Sequence, residues 1–314
     1  MALPLAPDLL VSKLSYTLTM KLHEIWRRGL LPPLTGRLTP WLSRLLPPVI
    51  LDAIRYLLSE WEYLPQGWRS ECARGPGWRD DSIAKAQEKH WPILVRNLQG
   101  PGPLGVSHFL RSVTRDDPGD HNVMMAYGYV LARAARNKDH VSLLDWGGSL
   151  GHYYLYSQAL LPEVKIDYHC YENSNLCAVG RRLLPQAHFS DDTVDVLHRR
   201  YDLVVSSSSL HYFEDWRSVA QDLAAATGEY LYIARLQTVV RGDPYVVVQR
   251  PYRSGYHAEY LSWFLSPLEL ISCLEEARLE LVREFVYAEN WLVRGAPEKG
   301  DCRGFLFRRP SERS

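Results

Sequence analysis

VSLLDWGGSLGHYY, residues 141–154, is the stretch that decides the fold. Four mostly apolar residues run into Asp145. Gly147, Gly148 and Gly151 follow within six residues, and a helical pattern starts at His152. Glycine is needed where a Cβ would block a tight bend or the close approach of a ligand. In an open parallel sheet such a turn sits at the carboxyl end of its strand, where ligands bind.

The surrounding pattern supports such a sheet. A helix is expected over Asn122 to Asn137, then strand VSLLDW, helix HYYLYSQAL, strand KIDYHCYE and a short helix around Leu176 to Leu184. Strand YDLVVSSS, helix WRSVAQDLAAA and strand EYLYIARL complete the alternation. Strands separated by helices of this length pair in parallel and make a doubly wound α/β sheet. LELVREFVYAE and CRGFLFRR are two extended runs with a turn-rich stretch between them, and read as an antiparallel hairpin closing the sheet.

Residues 1–115 differ, and a boundary is drawn there: 1–115 as a helical cap and substrate region, 116–314 as the sheet domain. Val11, Leu14, Leu18, Leu22 and Ile25 recur at helical spacing, as do Ile50, Ile54, Leu57 and Trp61. WEYLPQGWRSECARGPGWRD reads as an ordered loop, and SIAKAQEKHWPILVRNL as a helix with Ser82 a possible N-cap. The first sixty residues carry seven basic and four acidic side chains. Their helices either dock on a membrane surface or a protein partner, or pack on their own domain, as amphipathic helices more commonly do.

Composition bounds the function. Lysine plus arginine equals aspartate plus glutamate, 36 each, so no global charge attracts nucleic acid. Cys72, Cys170, Cys177, Cys273 and Cys302 form no CxxC pair, which argues against a disulfide framework or structural zinc and for a reducing, cytoplasmic setting. No His, Cys, Asp and Glu spacing suggests a metal site. The opening MALPLAPDLL has no basic n-region and does not read as a secretory signal, and the most apolar run, LLPPVILDAIRYLL, reads as too short and too charged to span a bilayer.

The turn also limits the ligand. A dinucleotide fingerprint requires glycine at 149 and 152, where the chain has Ser149 and His152, and no GK[ST] marks a phosphate loop. An acidic residue before the glycines suits a ligand with a cationic or hydroxyl-bearing part, and S-adenosylmethionine has such groups. Glu172, at the end of the next strand, suits a pair of ribose hydroxyls. Asp191 follows an aromatic where an adenine amino group is commonly met. Each has a plainer alternative: Asp145 as a helix N-cap, Glu172 as a solvated strand end, Asp191 as a loop cap. On SSSSLHYFEDW, Ser207 and Tyr212 are candidate walls of the cofactor pocket. His211 is the candidate general base, or else a packed histidine. Arg235, Gln249, Arg250, His257, Glu259 and Trp263 are candidate acceptor contacts. A Tyr, His and Trp cluster can stack on a sugar ring or simply pack.

LLDWGGSLGHYY, SSSSLHYFEDW, YLYIARLQ, VVVQRPY and GFLFRR, with LLPPVILDAIRYLL, WEYLPQGW and SIAKAQEKHWPILV before them, resemble a bacterial family of class I S-adenosylmethionine-dependent methyltransferases. The likeness covers roughly residues 45–310. It implies a Rossmann-like seven-stranded sheet, mostly parallel, with S-adenosylmethionine held by Asp145, Gly147, Gly148, Gly151 and Glu172. Family members near surface-polysaccharide genes imply O-methylation of a saccharide or another small hydroxyl-bearing acceptor. Ser149 departs from the usual glycine pattern. A non-catalytic S-adenosylmethionine-binding or scaffold protein on the same fold is the alternative. A nucleotide-dependent oxidoreductase is opposed by the missing fingerprint.

Overall fold

The computed structural model describes Tyr56 and residues 59–73, 75–105, 118–287, 289 and 291–310. In chain order these form β1 (Trp61–Leu64), α1 (Asp81–Gln99), α2 (Pro118–Ala134), β2 (His140–Trp146), α3 (His152–Leu160), β3 (Lys165–Tyr171), α4 (Ser174–Leu183) and β4 (His188–Ser190). Then follow α5 (Thr193–Leu197), β5 (Tyr201–Ser207), α6 (Trp216–Ala226), β6 (Thr227–Thr238), β7 (Tyr245–Gln249) and β8 (Tyr260–Phe264). The chain ends in α7 (Pro267–Glu276), β9 (Glu280–Tyr287), β10 (Val293–Arg294) and β11 (Asp301–Arg308).

The main sheet has the order β4-β3-β2-β5-β6-β11-β9. The five strands from β4 to β6 are parallel, and β11 runs antiparallel to both β6 and β9. This is the expected Rossmann-like sheet with its antiparallel end. Chain order reverses at β2, with β3 on one side and β5 on the other, so the crevice at their carboxyl ends is the switch point where ligands bind.

Both faces of the sheet are covered, and strand periodicity says how. Val141 and Leu143 of β2 join the core that holds Tyr127 of α2, Tyr153 of α3 and Tyr168 of β3. Leu144 and Trp146 point the other way, to Ala220 and Leu223 of α6 and Leu270 and Leu274 of α7. Alternate residues face opposite sides of a strand, so a central strand must be apolar on both.

In the first segment the helix expected at SIAKAQEKHWPILVRNL is present as α1, and one stretch differs from expectation. Trp61–Leu64, read as loop, is a strand in a second sheet of order β10-β1-β7-β8, and pairs antiparallel with β7 and parallel with β10. That sheet draws its other strands from beyond residue 240. Its Tyr245 and Val247 face a core with Trp61 and Phe264, while Val246 and Val248 face Leu261. A four-residue strand is too short to show its period in sequence. The helical patterns at Val11–Ile25 and Ile50–Leu57 lie outside the described residues, apart from Tyr56. Helix α1 is capped by Asp80, whose carboxylate accepts from Ser82 N at 2.9 Å, rather than by Ser82. Helix α7 was not read from the sequence, although Ser266 caps it and Pro267 opens it.

Gly180 tests how tightly the edge of the main sheet is packed. A Cβ there would lie 2.4 Å from Phe189 Cε1. Alanine gains about 1 kcal/mol of helix propensity, but overpacking costs about 1–3 kcal/mol. Gly180→Ala is expected to lower stability by about 1 kcal/mol in urea unfolding. The double variant with Phe189→Leu should lose less than the sum of the two single changes.

Candidate functional site

A cavity of about 420 Å³ opens at the carboxyl ends of β2, β3, β5 and β6, with the second sheet forming its opposite wall. Gly147, Ser149, Glu172, Ser207 and Tyr212 line it from the main sheet. Trp61, Gln249 and Tyr260 line it from β1, β7 and β8, Gln87 from α1, and Trp78 and Tyr256 from connecting segments.

The turn after β2 is built on Asp145. This residue is 1% exposed and does not line the cavity. It shares a strand face with Val141 and Leu143, which turns it towards the buried Tyr168, and the Tyr168 hydroxyl donates to its Oδ2. Burial, helped by the nearby Glu172 carboxylate, raises its pKa to about 7, against the lowering effect of the tyrosine hydrogen bond. A Cβ at Gly148 would lie 2.4 Å from Asp145 Oδ2 and 2.8 Å from Cys170 Sγ. Asp145 therefore supports the turn from beneath instead of meeting a ligand directly. It is not the N-cap of α3 either, because Gly151, at φ 85°, holds that position.

Glu172 is at the cavity, as expected. Its Oε2 accepts from Ser149 N at 3.2 Å, and its Oε1 accepts from Asn173 N at 2.8 Å and Asn173 Nδ2 at 2.9 Å. Burial raises its pKa, while the Asn173 and Ser149 amides pull the other way. This is not a solvated strand end: the carboxylate is bound into the turn and still faces the cavity.

The other expected residues divide. Gly147, Ser207 and Tyr212 line the cavity, whereas Gly148 and Gly151 lie within the turn and Asp191 is exposed and off the wall. The Tyr212 hydroxyl donates to Gln249 Oε1 at 2.8 Å, joining the two sheets. His211 differs most from expectation. It is fully enclosed against Tyr212, lines no part of the cavity, and neither ring nitrogen has a partner among the described residues. Burial, with Arg235 nearby, lowers its pKa to about 3. The ring is therefore neutral at pH 7 and packs behind Tyr212, which does line the cavity.

Of the candidate acceptor contacts, Arg235 and Gln249 line the cavity. Arg235 Nε and Nη2 donate to Glu289 at 2.6 and 3.0 Å, a two-point ion pair on the cavity wall. Arg250 instead pairs with Glu62 at 2.6 Å. In YHAEYLSWF the sequence reading selected His257, Glu259 and Trp263, but Tyr256 and Tyr260 line the cavity. Strand alternation separates Tyr260 from Trp263 within β8, and its phase is visible only once β8 is paired. Trp78, which was missed, stacks on Tyr260 at 4.3 Å and meets Tyr212 edge-on at 4.9 Å. Its buried Nε1 has no partner among the described residues. Backbone strain marks the same place. Among the described non-glycine residues with positive φ, Ser149, Ser208 and Arg235 line the cavity. Among the described residues no group of His, Cys, Asp and Glu could hold a metal ion, and no helix is long and apolar enough to cross a membrane.

No protein-family model and no curated protein matches the sequence. Solved structures similar to the chain include magnesium protoporphyrin IX methyltransferase from Synechocystis PCC 6803 with bound SAH, at 12% identity and TM-score 0.44, covering 74% of this chain and 100% of that one. Another is 1,6-didemethyltoxoflavin-N1-methyltransferase from Burkholderia thailandensis, at 13% identity and TM-score 0.43, covering 76% and 93%. A third is an S-adenosylmethionine-dependent methyltransferase from Clostridium acetobutylicum ATCC 824, at 9% identity and TM-score 0.41, covering 60% and 92%.

The enclosed histidine has a consequence for stability. An unfolded chain protonates His211 as pH falls below about 6.5, while the native ring stays neutral to about 3, so stability is lost in that window on acidification. His152, lowered to about 4 by burial, acts in the same sense. Asp145 and Glu172, both raised, act in the opposite sense. Removing one such titration by His211→Phe should flatten the dependence of stability on pH by about 1.4 kcal/mol per pH unit between about pH 4 and 6. Urea midpoints measured across that range, for both proteins, check it.

Proposed function

We propose that the chain is an S-adenosylmethionine-dependent methyltransferase that acts on a hydroxyl oxygen of a small acceptor, with a saccharide the favoured class. The observation that carries this is Glu172: a half-buried carboxylate just past the end of β3, tied to the glycine turn at the end of β2, and lining the cavity at the switch point.

The residues present fit the cofactor. Glu172 would receive the ribose hydroxyls, with Tyr171 and Leu176 beside it, and Gly147, Ser149 and the run Ser207–Ser209 would hold the methionine part. When bound there, S-adenosylmethionine supplies a methyl group activated by its sulfonium centre. The chain's own contribution is to hold the acceptor in line and exclude water, since positioning alone can supply much of the barrier reduction. His211 does not line the cavity; the proton that the acceptor hydroxyl gives up as its oxygen takes the methyl group would pass to a carboxylate that does, Glu60 or Glu289. Trp78, Tyr260 and Tyr256, with Gln249, make a wall of rings and hydrogen-bonding groups of the kind that receives a sugar. The segment before residue 116 takes part through Trp61, Trp78 and Gln87, in keeping with a substrate-side role for it.

Calorimetric titration with S-adenosylmethionine and S-adenosylhomocysteine tests the cofactor. Both should bind, and Glu172→Gln should weaken S-adenosylhomocysteine by about tenfold or more, the worth of a hydrogen bond to a charged group. Labelled methyl transfer to a panel of monosaccharides then tests the acceptor. Absence of binding by the unmodified protein would rule out the assignment; binding with transfer only to amines would overturn the acceptor class.

A further inference from the structure

Ser149 stands in a left-handed conformation at φ 57°. Glycine adopts that conformation freely, whereas a residue with a Cβ loses about 1–2 kcal/mol there. What serine adds is a hydroxyl, and it donates to Oε1 of Gln87 in α1. Gln87 is 4% exposed, and its Nε2 donates to the Tyr256 hydroxyl at 3.1 Å. A buried amide with both ends bonded has one orientation and costs free energy if either partner moves away. Because Glu172 Oε2 also accepts from Ser149 N, an unbroken chain runs from Glu172 through Ser149 and Gln87 to Tyr256.

A second link runs beside it. Asn173 Nδ2, next to Glu172, donates to the Trp78 carbonyl at 3.1 Å, and Trp78 stacks on Tyr260. His257 N donates to Ser82 Oγ at 2.8 Å, so the residues around Tyr256 are hung on the first turn of the same helix.

We propose that Gln87 is a positioning residue that couples the glycine turn to the acceptor wall. Ligand engaged at Glu172 and the turn fixes Ser149. Ser149 fixes Gln87, and Gln87 holds Tyr256 and the segment around it in place for the acceptor. Cofactor binding thereby builds the acceptor side, which favours binding in that order. The proposal rests on the methyltransferase assignment above.

The test uses S-adenosylhomocysteine as probe and amide hydrogen exchange in residues 252–260 as readout. In the unmodified protein the probe should slow exchange there by about fivefold or more, the scale of an ordinary coupling between sites. Ser149→Gly relieves the left-handed strain, keeps the turn and removes the hydroxyl, so at probe concentrations that saturate the variant, checked by calorimetry, it should transmit no protection. Gln87→Leu and Tyr256→Phe, which break the chain at its middle and far end, should do the same. Protection that persists in all three variants, or that is missing in the unmodified protein although the probe binds, overturns the coupling alone. A probe that fails to bind the unmodified protein overturns the methyltransferase assignment, and the coupling with it.

Discussion

The Tyr168 hydroxyl bonded to the Asp145 carboxyl beneath Gly148 is the interaction on which the rest of the site depends. It occupies the space that any side chain at 148 would need. The backbone of the turn can lie this close to the Asp145 carboxyl and Cys170 Sγ only because residue 148 has no Cβ. Gly147 N is then anchored on the Tyr171 carbonyl at 2.9 Å, and Ser149 N on Glu172. A carboxyl so enclosed is costly when ionised, which is why its pKa rises to about 7. Shaping the turn therefore costs electrostatic stability at neutral pH, and the surrounding core must offset it.

The second constraint is that the cavity has two owners. The seven-stranded sheet and its loops supply the glycine turn, the Ser207–Ser209 run, Glu172 and Arg235. The four-stranded sheet adds Trp61, Gln249 and Tyr260. The two are tied where β6 overruns the sheet: Gln237 accepts from Ser262 Oγ at 2.8 Å, and Val239 N donates to the Leu265 carbonyl at 3.0 Å. Together with the bond from Tyr212 to Gln249, these fix the distance between the two sheets. The Arg235–Glu289 pair is held on the wall with its charges satisfied by each other. A paired charge of this kind shapes a pocket without filling it with unbalanced field.

How much was legible differs by residue. The place of Glu172 at the cavity is legible because it follows from counting: strand, turn, helix, strand, acid. Gly147, Ser207 and Tyr212 followed from the same topology. Asp145 was named as a cofactor contact and instead supports the turn, because side-chain direction depends on strand phase relative to a neighbour, Tyr168, twenty-three positions away. His211 was named for its chemistry, and burial removed that chemistry. Trp78 and Gln87 carried no local signal, since each acquires its role from partners more than sixty residues distant.

The sequence by itself determined the alternation of strand and helix, the position of the glycine turn at a strand end, and the antiparallel closing pair of the main sheet. These rest on local periodicity and on glycine's freedom, which are properties of a few consecutive residues. Only the tertiary structure decided that Trp61–Leu64 is a strand, that a second sheet walls the cavity, and which aromatic residues face inward. Short strands have no stability or register of their own. They exist once β7 offers Trp61–Leu64 a partner, and that pairing joins residues nearly two hundred positions apart.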